Sequence, residues 1–416
     1  MPVDWGENLV SSGPDELELD PFSWAFHENP FPVYARLRAE APAYHNPRLG
    51  FWALSRHADV APAFRDSELY SSAKGIALEH EGEASASASF LAMDPPRHDQ
   101  LRGLVSRAFT PRRVAELEPR IRELARSYLS KLAERGGGDF IEDFAGRLPM
   151  DVVSELLGVP VEQRADLRTF ADIVLHRPEG VVGIPPEARV ASGQMVACFI
   201  EIVKERRRQP GSDLVSALLA TEVEGERLGD GEILGFLFLM IIAGNETTTK
   251  LLANALYWAW RNRAQRKLVE ADPTLVARWI EETMRYDNST QIMYRTLTRD
   301  HEIHGQRMRE GEKVALLIGS ANRDERVFPD ADRYDILRDT RESLAFGVGI
   351  HFCLGASLAR LEGRVALEEA LLHLPHWSID ENNLERVHSP NVRGFSKMPL
   401  HLDHFIRAGG LVSPAE

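Results

Sequence analysis

Apolar residues recur at three- and four-residue spacing through most of the chain, the period of helices with one face in a core. The spacing predicts helices over about 97–108, 111–135, 150–157, 160–175, 187–208, 212–221, 230–262, 264–270, 273–286 and 356–374, with a shorter one from Pro32 to Glu40. Strand-like pieces stand at Phe51 to Leu54, bounded by Gly50 and the polar Ser55-Arg56-His57, and at 291–298, 301–303 and 314–318. Neither a repeat nor a low-complexity linker interrupts this order. The predicted class is mainly α with a minor β part, arranged as one large domain over 21–416 behind a loose polar arm at 1–20. Small and polar residues from Glu81 to Phe90 predict a mobile loop.

With 416 residues, 44% of them hydrophobic, the chain can build a core large enough to enclose a cofactor. Its 49 Lys and Arg against 63 Asp and Glu give a net charge of −14. A nucleic-acid partner or an anionic membrane surface needs the opposite balance. Only two cysteines occur, Cys198 and Cys353, far apart and outside any C-x-x-C spacing. Cys198 lies in the helix-period run from Met195 to Val203 and reads as core packing. Met1 to Pro14 shows no apolar leader, and the most apolar stretch, Ile233 to Ala243, is shorter than the ~18–20 residues of a membrane span. The expectation is a soluble, cytoplasmic protein without a membrane anchor.

Cys353 sits in Phe346-Gly347-Val348-Gly349-Ile350-His351-Phe352-Cys353-Leu354-Gly355, and a helix-period run follows at Leu354, Leu358, Leu361 and Val365. A sulfur at a helix start meets free N–H groups that favour thiolate, and glycines let those amides approach. One thiolate without a companion suits a single axial bond to haem iron better than zinc or an iron–sulfur cluster. Gly347-Val348-Gly349 fails as a dinucleotide loop, because Phe352 stands where the third glycine belongs.

Phe346 to Gly355 resembles the cysteine-pocket signature of the cytochromes P-450, F-x-x-G-x-H-x-C-x-G, at every fixed position. Two further motifs precede it in the family's order. Ala243-Gly244-Asn245-Glu246-Thr247-Thr248 is similar to the oxygen-activation motif, in a helix that Asp230 is expected to cap. Thr247 can bond the carbonyl four residues back and open the helix, Gly244 removes bulk, and Glu246 with Thr247 can relay protons. Glu282-Thr283-Met284-Arg285 resembles E-x-x-R, a buried clamp that Arg338 would complete.

The resemblance implies haem b (iron protoporphyrin IX) held by Cys353, with Phe346, Gly347, Ala243 and Gly244 around it. His98 and Arg102, one helical turn apart, and Arg295 and His351 match the positions that meet the haem propionates. Ser289 stands where a proline is often found, six residues before that arginine. The implied activity is insertion of one atom of O2 into a hydrophobic small molecule such as a fatty acid, terpenoid, steroid or polyketide. No flavin or ferredoxin segment is visible, so the expected electron donors are a separate ferredoxin and its reductase. Arg107, Arg112, Arg113, Arg360 and Arg364 are candidates for a docking patch. A peroxygenase and a non-catalytic haem sensor are the rivals; the Glu246–Thr247 pair argues against both.

Overall fold

The longest apolar run becomes the helix Asp230–Arg261, 32 residues and about 48 Å at the α-helical rise. Asp230 is its first residue rather than its cap: Gly229 takes the cap position, and its N–H donates to the Glu232 carboxylate at 3.0 Å. A carboxylate three residues in can reach back to the cap amide, which an acid at Asp230 cannot do. By length and composition this helix could cross a membrane, beyond what the shorter Ile233–Ala243 stretch led us to expect. Yet 67% of its most apolar window is buried inside the protein, so a core position accounts for the composition.

The computed structural model describes residues 17–79, 89–106, 109–223, 226–374 and 376–402. Most of the expected arm, the Glu81–Phe90 loop except its last two residues, and Arg107 lie outside the described residues. The last part of the arm is not loose: Leu19 is fully buried and its carbonyl accepts a hydrogen bond from Asn46 Nδ2 at 2.9 Å.

Around the central helix pack Arg147–Leu157, Arg164–Leu175, Val276–Tyr286 and Ala356–His373, the last of these also against Glu118–Glu134. Their inward residues, among them Ile241, Leu252, Val153, Leu129, Trp279 and Val365, form the largest core. The run expected over 111–135 is two helices, Pro111–Ala115 and Glu118–Glu134, because Pro119 suits a first turn better than a helix interior.

A five-stranded sheet flanks this bundle. Its strands are β1 (Ala43–Asn46), β2 (Phe51–Leu54), β3 (Tyr70–Ser71), β4 (Ile292–Leu297) and β5 (Lys313–Leu317), in the order β1-β2-β5-β4-β3. β5 runs parallel to β2, with Val314 opposite Trp52, and antiparallel to β4, with Val314 opposite Arg295. The period of two decides what β4 does. Ile292 and Tyr294 enter one apolar cluster, while Met293 and Arg295 face a cavity between the sheet and the central helix.

Candidate functional site

That cavity has a volume of about 230 Å3 and opens to solvent at its mouth. Cys353 and its loop bound one side; Ala243, Gly244, Thr247 and Thr248 bound the other. The surface between is mostly apolar, including Phe90, Leu239, Met240, Met293, Ile318 and Phe346. Ala243 is solvent-exposed although it sits halfway along a core helix, because it opens onto this space.

Backbone bonds shape the cysteine loop. The Cys353 amide donates to the Phe346 carbonyl at 2.9 Å, and the Gly347 amide to Leu344 at 2.8 Å. Gly349 has φ +79°, and a Cβ there would lie 2.7 Å from the Phe64 carbonyl oxygen, so glycine is required twice over. The following helix starts at Ala356, three residues beyond the sulfur. Without a bound group, desolvation pushes the Cys353 thiol up, and the Gly355 amide, Arg102 and Arg360 offset part of it. Deprotonation there calls for a metal cation at the sulfur.

Of the four predicted basic residues, Arg102, Arg295 and His351 line the cavity. His98 stands behind them, fully buried, its ring 4.4 Å from that of His351. Nδ1 of His98 meets Asp99 at 2.7 Å, while its Nε2 has no partner among the described residues. Arg295 is 3% exposed, and its only side-chain hydrogen bond among the described residues goes to the Tyr294 carbonyl at 2.8 Å. Burial lowers its pKa to about 10, and burial beside Arg295, His98 and Arg102 lowers His351 to about 3. Neither Arg102 nor Arg295 forms a side-chain ion pair among the described residues. A buried cation left unpaired costs several kcal/mol, so this wall is built to receive an anion. A group with carboxylates at one edge and one axial position for sulfur fits these donors, and haem is such a group.

On the central helix, Thr247 Oγ1 donates to the Ala243 carbonyl at 2.7 Å as expected. The helix does not open there; it runs unbroken from Asp230 to Arg261. Gly244 is not forced by packing, since a methyl would make ordinary contact with Val153 at 3.5 Å. Glu246 lies off the cavity wall, 2% exposed. Its Oε2 is 3.1 Å from Lys250 Nζ, and its Oε1 accepts from Asn245 Nδ2 at 3.1 Å. Burial alone would raise its pKa; Lys250 and hydrogen bonding win, and it stays below the usual range.

The E-x-x-R clamp forms as expected. Arg285 donates to both Glu282 oxygens, at 2.7 and 2.8 Å, with both side chains fully buried, and to the Asn322 and Ala331 carbonyls. Arg338 Nε is 3.5 Å from Glu282 Oε1, while its Nη2 holds the Asp330 carbonyl at 2.9 Å.

Three features escaped the sequence reading. Ser72 Oγ lies 3.2 Å from His351 Nε2, and its amide is held by Asp94 at 2.9 Å. Ser289, in the place of the proline, donates from Oγ to the Thr247 carbonyl at 2.8 Å. Glu362 lines the cavity, 2% exposed, with Oε2 unpartnered among the described residues. Its signal was an acid inside the Leu358–Leu361–Val365 stripe. Of the expected basic patch, Arg112 and Arg113 are exposed, Arg112 3.6 Å from Glu116; Arg360 is paired with Glu281, and Arg364 with Glu118 and Glu368.

A helical shell over an apolar cavity, with one cysteine thiol and an arginine-lined rim, fits a haem oxidoreductase. Comparison with known proteins agrees. The Cytochrome P450 family profile matches residues 187–402. "Putative cytochrome P450 123" of Mycobacterium tuberculosis is 51% identical over 395 residues, 94% of this chain and 98% of that protein. The "Vitamin D(3) 25-hydroxylase" of Pseudonocardia autotrophica is 37% identical over 401 residues, 94% and 98%. Among solved structures, CYP109E1 from Bacillus megaterium in complex with testosterone superposes with a TM-score of 0.84 at 30% identity, covering 90% of this chain and 98% of that one. The chain belongs to the cytochrome P450 family, whose members are haem-binding monooxygenases.

Proposed function

We propose that this protein hydroxylates a hydrophobic small molecule, of steroid, terpenoid, fatty-acid or polyketide type, with electrons from a separate ferredoxin. The observation that carries the reading is the cavity itself. Cys353 faces the Ala243–Thr247 turn across mostly apolar walls, with Arg102 and Arg295 lining it and in no side-chain ion pair among the described residues. The steroid in one neighbour and the substrate in the name of one relative agree with such walls.

Bound haem supplies the oxidising chemistry. Cys353 would hold its iron, and Arg102, Arg295 and His351 would receive its carboxylates, with His98 packed behind His351. Phe346, Gly347, Ala243 and Gly244 border it. The apolar side chains orient the substrate and exclude water. Thr247 presents a hydroxyl whose own proton is committed to Ala243, so its lone pairs accept a hydrogen bond from a water in the cavity. Glu246 supplies protons to that water. Arg112 and Arg113 provide exposed positive charge for the electron donor, beside the hollow between Val114 and Leu361.

Thr247→Ala tests the arrangement. Haem content and ligand affinity should stay as in wild type, while product per NADH falls and H2O2 rises. Unchanged partition between product and peroxide would remove Thr247 from the proton path.

A further inference from the structure

Glu246 has no route to solvent of its own. Of the side chains it touches, Asn245 and Lys250 are buried with it. Lys250 cannot swing away, because its stem packs on Gly394 so closely that a Cβ there would lie 2.5 Å from Lys250 Cβ. The third contact differs. Asp172, on the helix Arg164–Leu175 that packs against the central helix, hydrogen-bonds Glu246 side chain to side chain; the residue reaches the surface while its carboxyl is largely enclosed at that contact.

Two carboxyls make a poor structural pin. Both ionised, they repel by about 4 kcal/mol at ~4 Å in an effective dielectric of 20; the contact becomes attractive only with a proton between them. An asparagine would tie the two helices without that condition. Lys250 fixes where the proton rests: it holds Glu246 ionised, so the proton stays on Asp172, whose pKa is raised by burial and by the Glu246 charge. The other charge nearby is Arg168, one turn back on the same helix and itself paired with Glu142.

We propose that Asp172 is the outer carboxyl of a two-carboxyl proton path that runs from solvent to Glu246 and on to the cavity at Thr247. The proposal rests on the relay role of Glu246 given above. Asp172 passes its shared proton to Glu246, and a solvent hydronium restores it at Asp172. Glu246 is neutral only in transit; it returns to the carboxylate, facing Lys250, when the proton leaves for a water at Thr247. One proton enters and one leaves, with no net change in the protein.

The experiment uses the holoenzyme, driven by a surrogate ferredoxin and its reductase with NADH and no added substrate. NADH oxidation and its H2O/D2O isotope effect are measured in wild type, Asp172→Asn, Asp172→Glu, Glu246→Gln and the Asp172→Asn/Glu246→Gln pair. A lost general acid typically costs 10²-fold or more; with water able to fill part of the gap, roughly tenfold slowing is expected in each single variant. The isotope effect should change, the double variant should be no slower than Glu246→Gln, and Asp172→Glu should restore most of the rate. In a Glu362→Gln background, which removes the other buried carboxylic acid, an exchange-sensitive carboxylic-acid infrared band of the resting holoprotein should vanish in Asp172→Asn. A wild-type rate or a surviving band in Asp172→Asn, beside a slow Glu246→Gln, overturns Asp172 alone. Wild-type rates in both variants overturn the relay as well.

Discussion

Glu362 shows how a single buried side chain sets a measurable pH dependence. It sits on the cavity wall with one oxygen unpartnered among the described residues, and burial pushes its carboxyl up to about 8 from 4.5. The folded state therefore binds a proton that the unfolded chain releases. Below 4.5 both states are protonated and Glu362 costs nothing; between that value and about 8, stability drains away as pH rises. Glu362→Gln keeps the shape and abolishes the titration. Urea unfolding should find the variant close to wild type at acid pH and about 1–3 kcal/mol more stable near neutrality. A difference that does not vary with pH would mean that Glu362 is solvated or paired. Other single residues were legible beforehand: Cys353, Arg102, Arg295 and His351 all reach one cavity, as the motifs implied. Glu246 was placed correctly along the chain but not in space. Its Lys250 and Asp172 partners depend on which side of the helix faces a neighbouring helix, and an i, i+4 pair alone says nothing of burial.

At the scale of elements, the segment after the E-x-x-R helix is fastened to the central helix at three points. Asn254 Nδ2 donates to the Asp287 carbonyl at 2.9 Å, Trp258 Nε1 to the Asp287 carboxylate at 2.9 Å, and Ser289 Oγ to the Thr247 carbonyl at 2.8 Å. On its far side the Arg393 amide donates to the Ser289 carbonyl at 2.8 Å, and Arg393 Nε to Asp287 at 2.8 Å. A serine there gains a tie that proline has no hydroxyl to make. Ser289→Ala should cost about 0.5–1.5 kcal/mol in equilibrium unfolding, with Ser289→Thr retaining most of it. Equal stability of all three proteins would show that the bond contributes nothing. The helices themselves were legible because a sustained period of 3.6 is a local signal. The helix His57–Arg65 was not: it begins on a polar triplet and contains Pro62, so its local signals point away from helix. The pairing of β2 with β5 joins segments some 260 residues apart, and no window along the chain contains it.

For the molecule as a whole, the net charge of −14 makes approach by an acidic electron donor unfavourable everywhere except at a local positive patch. Arg112 and Arg113 are exposed to supply one, Arg112 beside Glu116, while Arg360 and Arg364 are half-neutralised by Glu281 and Glu118, distant from them in the sequence. Everything else in the architecture converges on the cavity: the sheet brings Arg295, the Arg97–Ser106 helix brings Arg102, the cysteine loop brings the sulfur and His351, and the central helix closes the far side. The central claim is that one sulfur among these holds the haem iron. The most direct measurement is the reduced, CO-bound absorption spectrum of the purified holoprotein, for wild type, Cys353→Ser and Cys198→Ser. The account predicts the red-shifted thiolate Soret band in wild type and Cys198→Ser, and its loss in Cys353→Ser. A thiolate band that survives in Cys353→Ser, or disappears in Cys198→Ser, would contradict it.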